Sequence, residues 1–392
     1  MGNNPETPEE DAGSALVLTG GGARAAYQVG VLAALAQQAP GVEFPILTGA
    51  SAGAINTAFL ASHPGPLSKA IASLKEQWAH LTADMIYGPR APTLIRSTAR
   101  WLEQIALGRR DQPTSSRGLF DTRPLRAFLE RAIDFGGIDA NISRGRLRAL
   151  ALTATSYGSG QTITFVQGTP DVSMWERAHR MGVRARISLD HLMASAAIPL
   201  VFPAVQLADG FYGDGSVRQT FPLSPAIHLG ARRILAIGTR PNLDPPPSPA
   251  GPSTYPSVAQ SLGLLLDSVF MDHLDADAEV LESINRLQVK GSIGDTPLRF
   301  RPVDFLLFRP SQDLGEIARE CIEGLPRFLR SVARSLGAEK HGGAEFLSYL
   351  LFDPAYTGKL FELGFADGIR DWPRVEKLLI PSDASREADV SR

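Results

Sequence analysis

Apolar residues follow two rhythms along this chain. Ala15–Thr19 (ALVLT), Pro45–Thr48, Leu147–Thr153, Thr162–Val166, Leu200–Leu207 and Arg233–Gly238 are compact apolar runs that predict strands. Between them, Ala23–Gln38, Ala52–Ala61 and stretches around 67–82, 93–107 and 123–133 place apolar residues three and four apart, the helical spacing. Repeated strand–turn–helix units predict an α/β fold, a three-layer α/β/α sandwich with a mostly parallel central sheet. Further on, 257–289 and most of 315–378 read as helix, with a strand at Phe305–Phe308, so a largely helical C-terminal extension is expected.

Three stretches break the pattern. Residues 1–13 are acidic and lack periodicity, 241–256 are dense in Pro and Ser, and 381–392 are polar. The expected organisation is therefore a disordered tail (1–13), the α/β domain (14–240), a Pro-rich linker (241–256), a mainly helical region (257–380) and a second tail (381–392). No internal repeat is visible.

Composition narrows the function classes. With 392 residues, 44% of them hydrophobic, the chain has ample material for a core. Lys+Arg 39 against Asp+Glu 41 gives a net charge of −2, which argues against a nucleic-acid partner. The single Cys321 excludes an internal disulfide and a cysteine-based zinc site. No secretory signal is visible, Glu6 stands where myristoylation wants Ser or Thr, and no run reaches the roughly 18 apolar residues of a membrane span. A cytoplasmic protein is expected, peripheral at membranes at most.

The candidate chemistry gathers at strand ends. Gly49-Ala50-Ser51-Ala52-Gly53 lies where a strand meets a helix, the setting of a nucleophile elbow. An ordinary glycine-rich turn packing a helix on a strand has the same spacing. Gly20-Gly21-Gly22-Ala23-Arg24 also joins strand to helix, and consecutive glycines can aim several N–H groups at one anion. The Walker pattern is missing and Ala25 replaces the last glycine of a dinucleotide fingerprint, so an oxyanion hole suits this loop better than a nucleotide phosphate. Arg24 is either a helper beside an anionic intermediate or a surface arginine on the first helical turn. For a base, Asp214 in Gly210-Phe211-Tyr212-Gly213-Asp214-Gly215-Ser216 occupies a tight, partly apolar turn where desolvation would raise its pKa. A turn aspartate capping its own loop is the competing reading.

Taken together, these three motifs resemble the patatin-like phospholipase family. Gly118-Leu119-Phe120-Asp121 and the stretch from Ala194 through Ala197-Ile198-Pro199 to Phe202-Pro203 add to the likeness, which runs from about Ala15 to Thr239. The resemblance implies a lipid acyl hydrolase working through a Ser51–Asp214 dyad and an acyl-enzyme. It further implies an oxyanion hole from Gly20, Gly21, Gly22, Ala23 and Arg24, elbow glycines Gly49 and Gly53, and Gly215 in the base loop. It implies a phospholipid or other acyl-lipid substrate and neither metal nor cofactor. Two positions depart from the family pattern: Ala25 stands where glycine often follows the arginine, and Ser216 replaces the second glycine of Asp-Gly-Gly. Two other readings stay open, a Ser–His–Asp esterase using His228 or His273 and a non-catalytic partner-binding protein. Finally, Thr93–Arg110 interleaves Leu94, Trp101, Leu102, Ile105 and Leu107 with Arg96, Arg100, Arg109 and Arg110. Such a helix suits packing of its apolar side on the core, the usual role of amphipathic helices over such sheets, ahead of transient contact with an anionic membrane surface.

Overall fold

The computed structural model describes residues 13–87, 118, 120–241, 272–289, 302–322 and 344–380, with 261, 264, 265, 267, 268 and 330 as isolated positions. Thr93–Arg110 and most of the Pro-rich stretch 241–256 lie outside the described residues.

One ten-stranded sheet organises the chain. Its centre is β1 (Ser14–Leu18), β2 (Ile46–Ala50) and β3 (Ala149–Ser156), parallel and side by side. On the far side of β1 lie β9 (Arg233–Ile237) and then β10 (Asp304–Phe308), also parallel. Beyond β3 the sheet turns mixed. β4 (Thr162–Gly168) and β8 (Gly210–Asp214) both run antiparallel to β3, β6 (Arg180–Arg184) joins β4, and two-residue β5 (Glu176–Arg177) edges β6. Short β7 (Val205–Leu207) pairs with β8 as a hairpin.

Alternation along the strands sends side chains into two separate cores. Leu16, Leu18, Leu150, Leu152, Leu235 and Ile237 face one side, whereas Ala15, Val17, Ala149, Ala151, Ile234 and Ala236 face the other. The first core is the larger and is covered by α1 (Ala26–Gln38), α2 (Ala52–Ser62), α3 (Leu67–Ala79) and the C-terminal helices. The second lies under the short Ser224–His228 and the longer Asp272–Val289 helices. This is the expected three-layer arrangement, with helices on both faces of a mostly parallel sheet.

Differences from expectation have local causes. The run Leu200–Leu207 is a strand only from Val205, because Pro199 and Pro203 lack the N–H a ladder needs and Leu200 sits at φ 68°. Asp214, expected in a turn, is the last residue of β8. The first turn after the glycines, Gly22–Ala25, is a 3-10 turn leading into α1. Helices at Gly136–Ser143 and Leu189–Ser195 carry few apolar positions in phase and escaped the pattern.

The boundary expected at 241–256 divides the chain but not the core. β10 adds to the same sheet, and the helix Pro354–Arg370 lies along α1. Gly30 and Gly364 bring those two helix backbones together: a Cβ on either would fall 2.1 Å from a carbonyl oxygen of the other helix. Asp367, 1% exposed, cross-links the pair by accepting a hydrogen bond from the Tyr27 hydroxyl at 3.0 Å.

Candidate active site

Parallel strands deliver their loops to one edge, and two of the three motifs sit there. The glycine loop leaves β1 and Ser51 leaves β2, the neighbouring strand. Asp214 reaches the same place from the opposite direction. It ends antiparallel β8, paired with Ala154 of β3, while Ala50, beside the serine, pairs with Thr153 of β3.

Ser51 has φ 54° and ψ −128°, a left-handed conformation uncommon for a residue with a side chain. Such a backbone costs on the order of 1–3 kcal/mol and persists only where its surroundings impose it. Three contacts do so here. The Ser51 carbonyl accepts the Ala54 and Ile55 amides that start α2, and its N–H donates to the Ser195 hydroxyl at 3.1 Å. Ser195, wholly buried, donates its hydroxyl to the Thr153 carbonyl at 2.6 Å, tying the elbow to β3. Gly53 lets α2 start hard against β1, since a Cβ there would lie 2.1 Å from the Leu18 carbonyl oxygen. Gly49 is crowded in turn by Thr57 and by the Gly53 carbonyl.

Asp214 is fully buried. Its Oδ1 accepts the Ser216 N–H at 2.9 Å, and its own N–H donates to the Ala197 carbonyl at 2.8 Å. Oδ2 has no fully formed hydrogen bond, and the Ser216 hydroxyl likewise has none. Burial pushes the carboxyl up to about 7, against a downward pull from the nearby Ser51 hydroxyl and from the amide and hydroxyl of Ser216. Gly215 is pressed against the Thr153 carbonyl, continuing the same close packing on β3. The stretch Ala194–Pro203 thus spans the site, with Ser195 holding the serine and Ala197 holding the aspartate. Its sequence gave no hint of a role for Ser195. Phe120 docks on that stretch by donating its N–H to the Val201 carbonyl at 2.9 Å, and its ring lies 4.7 Å from that of Tyr87, tilted by 34°.

The glycine loop opens the 3-10 turn. Arg24 N–H, which donates to the Gly21 carbonyl, is the first amide engaged within the turn, and those of Gly21, Gly22 and Ala23 precede it. Gly20 is fixed through its carbonyl, which accepts the Thr239 hydroxyl at 3.0 Å. Behind the loop, buried Gln28 donates to the Thr19 carbonyl at 2.8 Å and accepts from Asn56, which in turn accepts from the Trp78 indole. The Arg24 side chain goes elsewhere. It is 0% exposed and turned into the C-terminal helices against Glu345 and Ser348, so the reading of its guanidinium as an anion helper does not survive.

Gly22 and Ser51 both line an apolar cavity of about 730 Å³, open mouth included. Its walls come from α2 (Ile55, Phe59), α3 (Leu74, Trp78), the helix Arg123–Ala132 (Leu125, Leu129) and the C-terminal Tyr349, Leu350 and Phe352. Gln77 is one of very few polar side chains there. Its lining, almost wholly apolar, suits an apolar group beside Ser51.

Among the described residues, two of the histidines are held in structural contacts. His228 stacks on Trp175 at 4.8 Å in the second core, and His191 joins Ser188 in a capping box. No histidine contributes to the environment that shifts Asp214. Among the described residues no cluster of His, Cys, Asp and Glu could hold a metal ion. No helix there is long and apolar enough to cross a membrane.

A strained serine at a strand–helix elbow and a glycine loop thus line one apolar cavity, with a buried aspartate close to the serine. A family model for patatin-like phospholipases matches residues 16–227, more than half the chain. The chain belongs to the patatin-like phospholipase family. Among solved structures it is similar to VipD from Legionella pneumophila (10% identity, TM-score 0.34), covering 92% of this chain and 66% of that one. It is also similar to human GIVD cytosolic phospholipase A2 in complex with methyl gamma-linolenyl fluorophosphonate (14%, 0.44; 95% and 59%). A third likeness is to the ExoU–SpcU complex of Pseudomonas aeruginosa (16%, 0.29; 93% and 76%). The chain thus spans about three fifths to two thirds of the first two. A search among curated proteins finds no match.

Proposed function

We propose that this protein hydrolyses acyl esters of lipids through a Ser51–Asp214 dyad. The observation that carries the reading is the left-handed Ser51 lining the apolar cavity, beside a buried carboxyl pushed up to about 7. The acyl chain enters the cavity and its ester carbonyl rests against the elbow. Asp214 Oδ2, which has no other partner, takes the Ser51 proton as Oγ attacks the carbonyl carbon. Amides of Gly21, Gly22 and Ala23 stabilise the resulting oxyanion, helped by the N-terminus of α2. Collapse expels the alcohol, which leaves with the proton held by Asp214. Water then attacks the acyl-enzyme, gives its proton to Asp214, and releases the fatty acid as that proton returns to Ser51. A carboxylate with pKa near neutrality suits both directions of transfer.

Lipid substrates lie in membranes or other aggregates, so transient contact with a lipid surface is part of the reading. The deciding experiment measures fatty-acid release from phospholipid vesicles and from a soluble short-chain ester, for the wild type, Ser51→Ala and Asp214→Ala. Both variants should fold and lose activity on both substrates. Activity retained by Ser51→Ala, or lost on replacing a single histidine such as His228 or His273, would replace the dyad with another mechanism.

A further inference from the structure

We propose that the segment Glu345–Phe352, which lies outside the residues matched by the family, is a working part of the active site. In it, Glu345 and Ser348 act as positioning residues that hold the glycine loop through Arg24. The inference rests on the dyad reading, because it concerns the loop that would receive the oxyanion.

Arg24 sits two residues beyond Gly22, and its guanidinium is sealed from solvent. Nε donates to the Ser348 hydroxyl at 2.6 Å. Nη2 donates to the Glu345 carbonyl oxygen at 3.3 Å and also binds that residue's carboxylate. Nη1 lies 3.6 Å from Asp267, and the guanidinium plane stands 4.2 Å over the Tyr349 ring. The partners brace one another: Ser348 donates to the Glu345 carbonyl at 2.5 Å, and Tyr349 donates to Asp267 at 2.9 Å. A fully buried cation is tolerated only when its donors are met in this way, and removing one partner strands a charge in apolar surroundings.

The same segment touches the loop directly. Gly22, at φ 57°, packs so tightly on it that a Cβ would lie 2.2 Å from the Tyr349 carbonyl oxygen. From the other side Tyr87 donates its hydroxyl to the Leu350 carbonyl. Tyr349, Leu350 and Phe352 then form one wall of the cavity that Gly22 and Ser51 also line. One short helix and its exit therefore anchor Arg24, seat Gly22 and shape the cavity. A segment that merely stabilised the fold would need none of these three contacts with the catalytic edge.

The test uses the full chain and compares Glu345→Gln, Ser348→Ala and Glu345→Asp with Asp353→Ala. Asp353 caps the following helix by accepting the Ala355 N–H at 2.9 Å, so its loss weakens the C-terminal region without touching Arg24. Three quantities are measured: kcat and KM on a soluble short-chain ester, the rate at which an alkyl fluorophosphonate labels Ser51, and Tm. Displacing an oxyanion donor or misplacing the reacting groups by about 1 Å costs roughly 10²-fold. Glu345→Gln should lower kcat and labelling about 10- to 100-fold with KM changed less than about twofold. Glu345→Asp should recover most of the rate, and Asp353→Ala should lower Tm while keeping the wild-type kcat. If Glu345→Gln does not fold, Ser348→Ala carries the same expectation at the smaller end. Intact kcat in a folded Glu345→Gln or Ser348→Ala overturns the proposal, as does a fall in kcat that tracks Tm across all variants. If Ser51→Ala matches the wild type, the dyad itself fails and the positioning role falls with it. That outcome is separable because it appears before any C-terminal variant is compared.

Discussion

Asp214→Asn should make the protein more stable at neutral and alkaline pH while abolishing its activity. The folded carboxyl titrates near 7 against an ordinary value of 3.8, and burial is the main cause. Below about pH 4 both folded and unfolded chains carry the proton, and this residue adds no pH dependence. Between about 4 and 7 the folded chain holds a proton that the unfolded chain has released, so stability falls as pH rises. Above about 7 the loss is complete and amounts to roughly 4 kcal/mol at 1.36 kcal/mol per pKa unit. Asparagine removes that penalty. Its Oδ1 still accepts the Ser216 N–H, and its Nδ2 meets the Ser51 and Ser216 hydroxyls where Oδ2 had no hydrogen bond. The assay is the urea midpoint of wild type and variant at half-unit steps from pH 4.5 to 8.5, with m compared to confirm like transitions. The two curves should converge at the acid end and separate steadily toward pH 8. A constant offset, or a variant less stable than wild type at pH 8, would refute the argument that desolvation of this carboxyl is a cost carried for function.

Three further outcomes follow from the geometry. The wild-type kcat/KM should climb about tenfold per pH unit below 7 and level above it, because the base must be ionised; a limb centred near pH 4 would contradict the burial argument. Ser195→Ala removes an acceptor from the Ser51 N–H and a donor from the Thr153 carbonyl, costing about 1–3 kcal/mol by chemical denaturation and lowering kcat with it. Ile55→Trp narrows the cavity one helical turn from the serine, so long-chain esters should lose far more kcat/KM than an acetyl ester; equal losses would show that the chain binds elsewhere.

Much of the site could be read from residues that are close in sequence. Ser51 and the glycine loop each lie on a single strand–turn–helix unit, where spacing and periodicity carry the signal, and their positions on neighbouring parallel strands follow from the α/β pattern. Asp214 was harder, because its burial comes from β3 and from the Ala194–Pro203 stretch, neither of which leaves a local mark. Ser195 and Glu345 were invisible for a stronger reason. A buried serine and an acidic residue on an amphipathic helix look ordinary until the fold brings each beside its partner, 144 and 321 residues away respectively. The sequence pattern also suggested a separate C-terminal region, since a proline-rich stretch signals a break in the chain but says nothing about which sheet the chain later rejoins.

That long return of the chain has a consequence for how the protein is born. During synthesis β10 follows Ser51 only after about 250 residues, and the Glu345–Phe352 segment after about 290. At ~5–20 residues per second, the interval from residue 227 to residue 352 lasts roughly 6–25 s. From residue 237 until β10 is made at residue 308, β9 is an uncovered sheet edge, prone to pairing with other nascent chains, and until residue 352 the cavity lacks one wall. A partly made chain therefore carries Ser51 without the full enclosure that the finished cavity gives it. A chain truncated before Glu345 would keep Ser51 and its glycine loop but lose the Tyr349, Leu350 and Phe352 wall of the cavity and the anchor of Arg24.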